Sequence, residues 1–334
     1  MNLLRRLPIL LLPLLTTAFA GAQDQATTLL AASRRADVVV RATVLGASDP
    51  TPDWHRLQFR RDAVLKGAVG EQFVLLEPSG ACCGRVLFTL QPGDEVLLFL
   101  VRQGSALHPF GGSRGVATPT PALLTHVQAL LAANGDAALA AVLAGALDAA
   151  ETRLAADGAH ALVTLPTLPL GSEGRARVAT ALQQALVDDR NTAASLCEVA
   201  ARLGDSALLD TLLPHYLGTS KPGQQELLQR TLLRCPAGEV AQRLPLFTDS
   251  STERNVRAAR LLARMPTAEA RQGLERLLQL HPHPRVQLCL AESLLQSGAR
   301  GAELANSVPA AVTELASRRS NQPKVYRAIR PQQP

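Results

Sequence analysis

A recurring interval governs the second half of this chain. Ala193, Gln225, Val256 and Val286 follow one another at roughly thirty positions, the interval shortening slightly each time, and each opens a helical pattern. Three positions on stand Leu196, Leu228, Ala259 and Cys289. Small or apolar residues return seven or eight on, at Ala200 and Ala201, Leu232 and Leu233, Ala263 and Leu294. Breakers separate the units: Gly218 and Pro222, Pro236 and Gly238, Pro266, then Pro282 with Pro284. A helical hairpin cannot bury its apolar stripe alone, so hairpins recurring at a fixed period must stack on one another. The expectation is a short superhelical stack of helix pairs. Aromatics make up only 3% of the chain, so its core must come from closely packed Ala and Leu, which suits helix on helix.

The front of the chain has a different period. After a helical lead over Ala26 to Arg34, the run from Ala36 to Leu45 is β-branched and stops at Gly46. A turn-rich stretch, Ala47 to Asp53, precedes the alternating segment Trp54 to Phe59. Further strands are expected over Gln72–Leu76, Val86–Leu90 and Glu95–Val101, bounded by Gly67, Gly70, Pro78, Gly80, Pro92, Gly93 and Gly104. Short strands between such turns predict a small antiparallel β-barrel or sandwich. From Pro121 the helical period takes over, with a helix pair over Ala122–Ala133 and Ala137–Leu147 broken at Asn134-Gly135. Pro166, Pro169 and Gly171 blur the next boundary. The fold expected is therefore multidomain: a small antiparallel β-barrel domain over residues 24–121, then an all-α helical-repeat domain over 122–315.

The ends are distinct from both. Arg5 and Arg6 precede the apolar run Leu7 to Leu15, and Thr16 to Ala20 supply a small-residue exit, the layout of a signal peptide over residues 1–20. The expected location is accordingly periplasmic or extracellular. The formal charge of +6 falls to +4 without Arg5 and Arg6. The stretch 316–334 carries Arg318, Arg319, Lys324, Arg327 and Arg330 with no acid, and without it the remainder sits at −1. Such a body offers no broad positive field, which argues against a nucleic-acid partner. The basic tail is expected to be disordered, and weak contact with a membrane surface or a polyanion is the alternative.

Two family resemblances follow from these segments. The unit Thr252 to Met265, with Val256-Arg257-Ala258-Ala259-Arg260-Leu261-Leu262, resembles the second helix of HEAT or armadillo-type repeats. That class implies a binding or scaffolding surface and no chemistry. The block from Cys83 through Pro92-Gly93 to Leu100, with Asp37–Val44 and Val64-Leu65-Lys66-Gly67, resembles the netrin-like or tissue-inhibitor-of-metalloproteinase OB barrel. Inhibitors of that family approach a protease zinc through an N-terminal Cys. Here the first Cys is Cys82, so the resemblance implies a fold and lacks the inhibiting residue.

Reactive groups are sparse. The five cysteines are Cys82, Cys83, Cys197, Cys235 and Cys289, an odd number that leaves one thiol unpaired within a monomer. Export permits disulfides, yet Cys197 and Cys289 fall on apolar helix positions and read as buried small hydrophobes. Adjacent Cys82 and Cys83, with only His55 or His108 as company, lack the four ligands of a zinc site. His281-Pro282-His283-Pro284 looks like a metal tag, but two prolines fix an extended connection whose side chains alternate in direction. Gly111-Gly112-Ser113-Arg114-Gly115 lacks the lysine of a phosphate loop and reads as a turn. No Gly-x-Ser-x-Gly or His-Glu-x-x-His occurs. The chain is thus expected to be no enzyme, with no catalytic, cofactor-binding or metal residues. Its expected role is an exported protein-interaction or scaffold module, with another protein as partner. Exposed Arg254, Arg257, Arg264 and Arg276 are candidate contacts on the stack, and the loops near Trp54 and Leu107–Gly115 on the barrel. The alternatives are a protease inhibitor acting through those loops, and a hydrolase with an unrecognised site.

Overall fold

The computed structural model describes residues 28–51, 54–78, 89–247 and 251–296, with residues 310, 311, 313 and 314. The expected signal peptide, Cys82, Cys83 and the basic tail lie outside the described residues, as does the expected strand Val86–Leu90 apart from Thr89 and Leu90. The chain divides into two compact units at Arg177/Val178.

The first unit opens with α1 (Leu29–Arg35), whose first turn is capped by the Thr28 hydroxyl accepting from Ala31 N at 3.2 Å. Strands β1 (Val38–Thr51), β2 (Trp54–Lys66), β3 (Gln72–Pro78), β4 (Glu95–Gln103), β5 (Ala106–Pro109) and β6 (Val116–Ala117) follow. Their order in the antiparallel sheet is β3-β2-β1-β4-β5, with β6 on β4. The sheet curls until β3 and β5 approach each other without pairing, which makes an OB-like half-barrel. Its inner core is Val38, Val40, Ala42, Val44, Leu57, Phe59, Phe73, Leu75, Val96, Leu98 and Leu100. Phe59 stands opposite Phe73 in the ladder, and their rings stack with centroids 5.3 Å apart.

Strands β1 and β4 are buried on both faces, since Val39, Leu97 and Phe99 on the reverse side are also fully covered. Helix α1 packs against β4 on one hand and helices α2 (Pro121–Ala132) and α4 (Thr152–Thr164) on the other. Helix α3 (Gly135–Ala146) pairs with α4. Helix α2 starts where the strand period ends, with Pro121 in the first turn and Thr120 Oγ1 accepting from Leu123 N at 3.1 Å. The unit boundary falls inside α5 (Ser172–Val187).

The second unit continues with α6 (Ala193–Leu203), α7 (Ser206–Gly218), α8 (Pro222–Leu232), α9 (Ala237–Arg243), α10 (Thr252–Ala263), α11 (Ala268–Leu280) and α12 (Pro284–Gln296). Neighbouring helices pack, as α7 does on α8 and α10 on α11, and so do alternate ones: α6 with α8, α7 with α9, α9 with α11, and α10 with α12. That is the pattern of stacked helix pairs. Polar ties span about one period: Lys221–Asp189 at 3.0 Å, Gln224 Nε2 to Leu186 O at 2.7 Å, Arg234–Glu198 and Arg243–Asp210. Arg257 on α10 donates to the carbonyls of Leu217 and Thr219 at 3.1 and 2.5 Å, closing the end of α7. Among the described residues no helix is long and apolar enough to cross a membrane.

Candidate functional site

The residues singled out from sequence do not gather in one place. Cys197 and Cys235 are buried free thiols, and burial pushes each up to about 11, so neither supplies a thiolate nucleophile near neutrality. Cys289 is half-buried instead of fully buried, and its sulfur sits at the α10–α12 contact 3.9 Å from Val256 O. His55 is buried in β2 opposite Glu77, whereas His108 lies in β5. Gly112–Gly115 form a 3-10 turn, and a side chain on Gly115 would strike the Phe110 backbone, so close packing explains that glycine. Leu107, expected in a loop, belongs to β5, which follows β4 after a short turn. Arg254, Arg264 and Arg276 lie toward solvent to differing degrees, whereas the Arg257 guanidinium is committed to the α7 carbonyls and to Glu253 at 2.5 Å.

His281, Pro282 and His283 form the connection between α11 and α12, with Pro284 opening α12, and the three wall a groove of about 530 Å³. Thr252 and Asn255 of α10, Leu280, His281, Pro282, His283 and Val286 line it. Asn255 is 2% exposed, and its amide nitrogen lies 3.1 Å from His281 Nδ1. The amide donates, so His281 Nδ1 accepts and the neutral ring carries its proton on Nε2. The Arg285 backbone N–H donates to His283 Nδ1 at 3.2 Å, which fixes the same tautomer there. A metal-bound imidazole needs the reverse arrangement, with its outer nitrogen donating to a carbonyl or carboxylate. No group of three or more His, Cys, Asp or Glu poised to hold a metal occurs among the described residues. The groove instead combines the His281 and His283 rings with the apolar walls of Leu280, Pro282 and Val286, and Leu280 is 61% exposed. Chemically it suits an apolar side chain with a carbonyl or carboxylate beside it.

Asn255 sits in the apolar stripe of α10 as a polar exception, and that break in the stripe is its only mark in the sequence. A polar clamp on α1 in the first unit has no such mark. Asp157 of α4 accepts from Leu29 N at 2.7 Å, at the positive end of α1. Lys66, the last residue of β2, donates to the Ser33 and Arg34 carbonyls at 2.9 Å each, at the negative end. Burial raises Asp157 from 3.8 to about 6, partly offset by the Leu29 amide and Arg153. His126 on α2 is buried, and loss of solvent lowers its pKa. Gly67 follows Lys66 with φ +73, and any Cβ there would meet the Asp37 carbonyl oxygen.

Fold and groove together define a two-part protein, an OB-like half-barrel followed by a stack of helices. No family model, curated protein or solved structure matches the chain.

Proposed function

We propose that this protein is an exported protein-binding module whose second unit holds a partner's exposed segment. The observation that carries the proposal is the stacked helices of that unit, which present a surface built from many successive elements. The groove at Asn255, His281 and His283 is the proposed docking point on it. Its apolar walls take a hydrophobic side chain, while the His283 Nε2–H meets the flanking carbonyl or a carboxylate. Within this proposal the second unit is of HEAT or armadillo type and the half-barrel of netrin-like type. Support for the latter comes from the strand order and from the Lys66-Gly67 turn, where each residue has a specific structural duty. Export rests on the basic, apolar and small-residue layout of residues 1–20.

The test is capture from envelope extract by the immobilised protein, beside the double variant Leu280→Asp, His283→Ala. Specific proteins retained by wild type and lost from the folded variant are expected. Equal retention by both would move the docking point elsewhere, and no retention by either would end the binding proposal.

A further inference from the structure

Cys197 belongs to α6, and Cys235 lies in the short connection between α8 and α9, distant in sequence but adjacent in the stack. Both sulfurs converge on one residue. Cys235 Sγ donates to the Thr231 carbonyl at 3.4 Å, and Cys197 hydrogen-bonds the Thr231 side chain. Both thiols therefore lie against the same residue, Thr231, at the contact between α6 and α8. Each is almost fully buried, at 1% and 5% exposure, with α6 packed on α8 around them.

We propose that Cys197 and Cys235 are a disulfide-forming pair, a covalent staple between two successive helix pairs of the stack. The geometry allows it because Cys235 sits in a non-helical connection, which can turn its Cβ toward α6 without unwinding a helix. Chemically the oxidant is a small-molecule disulfide. Cys235, the more exposed of the two, loses its proton, attacks one sulfur and expels the other as a thiolate. Cys197 then gives up its proton and attacks the Cys235 sulfur of the mixed disulfide, releasing the second thiolate. Two protein thiols are oxidised, and one external disulfide is reduced to two thiols. Because burial disfavours both thiolates, the reaction proceeds slowly, through transient opening of the α8–α9 connection. A cross-link closing so long a loop constrains the unfolded chain and raises stability. The staple depends on packing alone and stands whether or not the groove binds a partner.

The experiment exposes the reduced full-length protein to oxidised glutathione under native conditions, then alkylates, digests with trypsin and maps peptides by mass spectrometry. A linked peptide joining Asn191–Arg202 to Cys235–Arg243 is expected, disappearing on reduction. It should accompany a melting temperature several degrees above that of the reduced protein. Cys289→Ser should leave the linked peptide unchanged, and Cys197→Ser should abolish it. Recovery of the two peptides only as free thiols or as separate glutathione adducts, from protein that stays folded throughout, overturns the proposal. So does a cross-link that forms in urea and never under native conditions.

Discussion

The two units of this molecule are held together by different means. In the first, one seven-residue helix is gripped at both ends by residues far away in sequence. Asp157 reaches it across 128 positions, and Lys66 across 33 and 32. In the second, the ties repeat at nearly one period: 32 positions for Lys221–Asp189, 33 for Arg243–Asp210, 36 for Arg234–Glu198. Sheet and covering helices of the first unit meet at α1, which touches β4, α2 and α4, so the unit is expected to unfold as one object. Each tie of the second unit serves only its neighbours, so damage there stays local. Where an interaction sits in this scheme should therefore decide how far its loss is felt.

The largest effect is expected at Gly67, where clamp and barrel meet. Gly67→Ala imposes a positive φ on a residue with a Cβ and drives that Cβ against the Asp37 carbonyl. A loss of about 3 kcal/mol is expected, combining backbone strain with the displacement of β1 from its start. Urea unfolding read by hydrogen exchange would show protection falling together in α1 and β1–β4, with α10–α12 unchanged. A loss confined to the β2–β3 turn would break the claim that the first unit acts as one object.

Next comes the N-terminal end of the clamp, through pH. Asp157 has a folded value of about 6 against 3.8 unfolded, so the folded state holds the proton more tightly. The stability from this group is fully present below its unfolded value and is lost as pH rises from there through about 6. A shift of that size corresponds to about 3 kcal/mol at most, and the half-buried position of the side chain reduces it to about 2 kcal/mol. Asp157→Asn keeps an acceptor for Leu29 N and cannot ionise. Relative to that variant, wild type should weaken across this window and then level off. His126 works in the opposite direction, because its lowered value means protonation favours the unfolded chain as pH falls below its ordinary value of 6.5. Parallel curves for wild type and Asp157→Asn across the whole window would show that the carboxyl is not strained in the clamp.

Strands β1 and β4 were legible in sequence because strands buried on both faces read as continuous apolar runs, Val38-Val39-Val40 and Val96 to Leu100. The continuation of β2 was not legible, because Arg60-Arg61-Asp62 breaks the alternation and β1 carries register shifts opposite it. The repeat helices were found, yet Gln225, Val256 and Val286 fall inside α8, α10 and α12. Pro222 and Pro284 occupy the first turns of α8 and α12, and Ser251 caps α10, so local chemistry sets starts that the apolar period cannot see. Lys66 and Asp157 look like ordinary surface charges in sequence, and only the chain's return gives them a helix to hold. In the groove, the two prolines did signal a stiff connection between helices, but nothing local says that Asn255 meets His281.

A middle-sized effect belongs to Arg257. Its side chain is 13% exposed and donates to the end of α7 as well as to Glu253. Arg257→Ala leaves those carbonyls without their donor, and a loss of about 2 kcal/mol is expected. Exchange protection should fall in α7 and α10 and hold in the first unit. Uniform loss over the whole chain would mean that the stack is as cooperative as the barrel unit.

The smallest effect tests whether the repeated ion pairs stabilise the stack at all. Arg234 and Glu198 tie the end of α8 to α6, and the pair draws the Glu198 carboxyl below its usual range, first through the hydrogen bond from Arg234. Both side chains are open to water, at 55% and 29% exposure, so solvent screens most of their attraction. Glu198→Gln should cost only about 0.5 kcal/mol, and that difference should shrink further in concentrated salt. The apolar residues beneath, Leu196 and Val199 on α6 with Leu228 and Leu232 on α8, stay buried and carry the packing of the two helices. A cost several times larger, persisting in concentrated salt, would reverse the order of importance. The ties would then hold the stack, and the recurring small apolar residues would merely permit it.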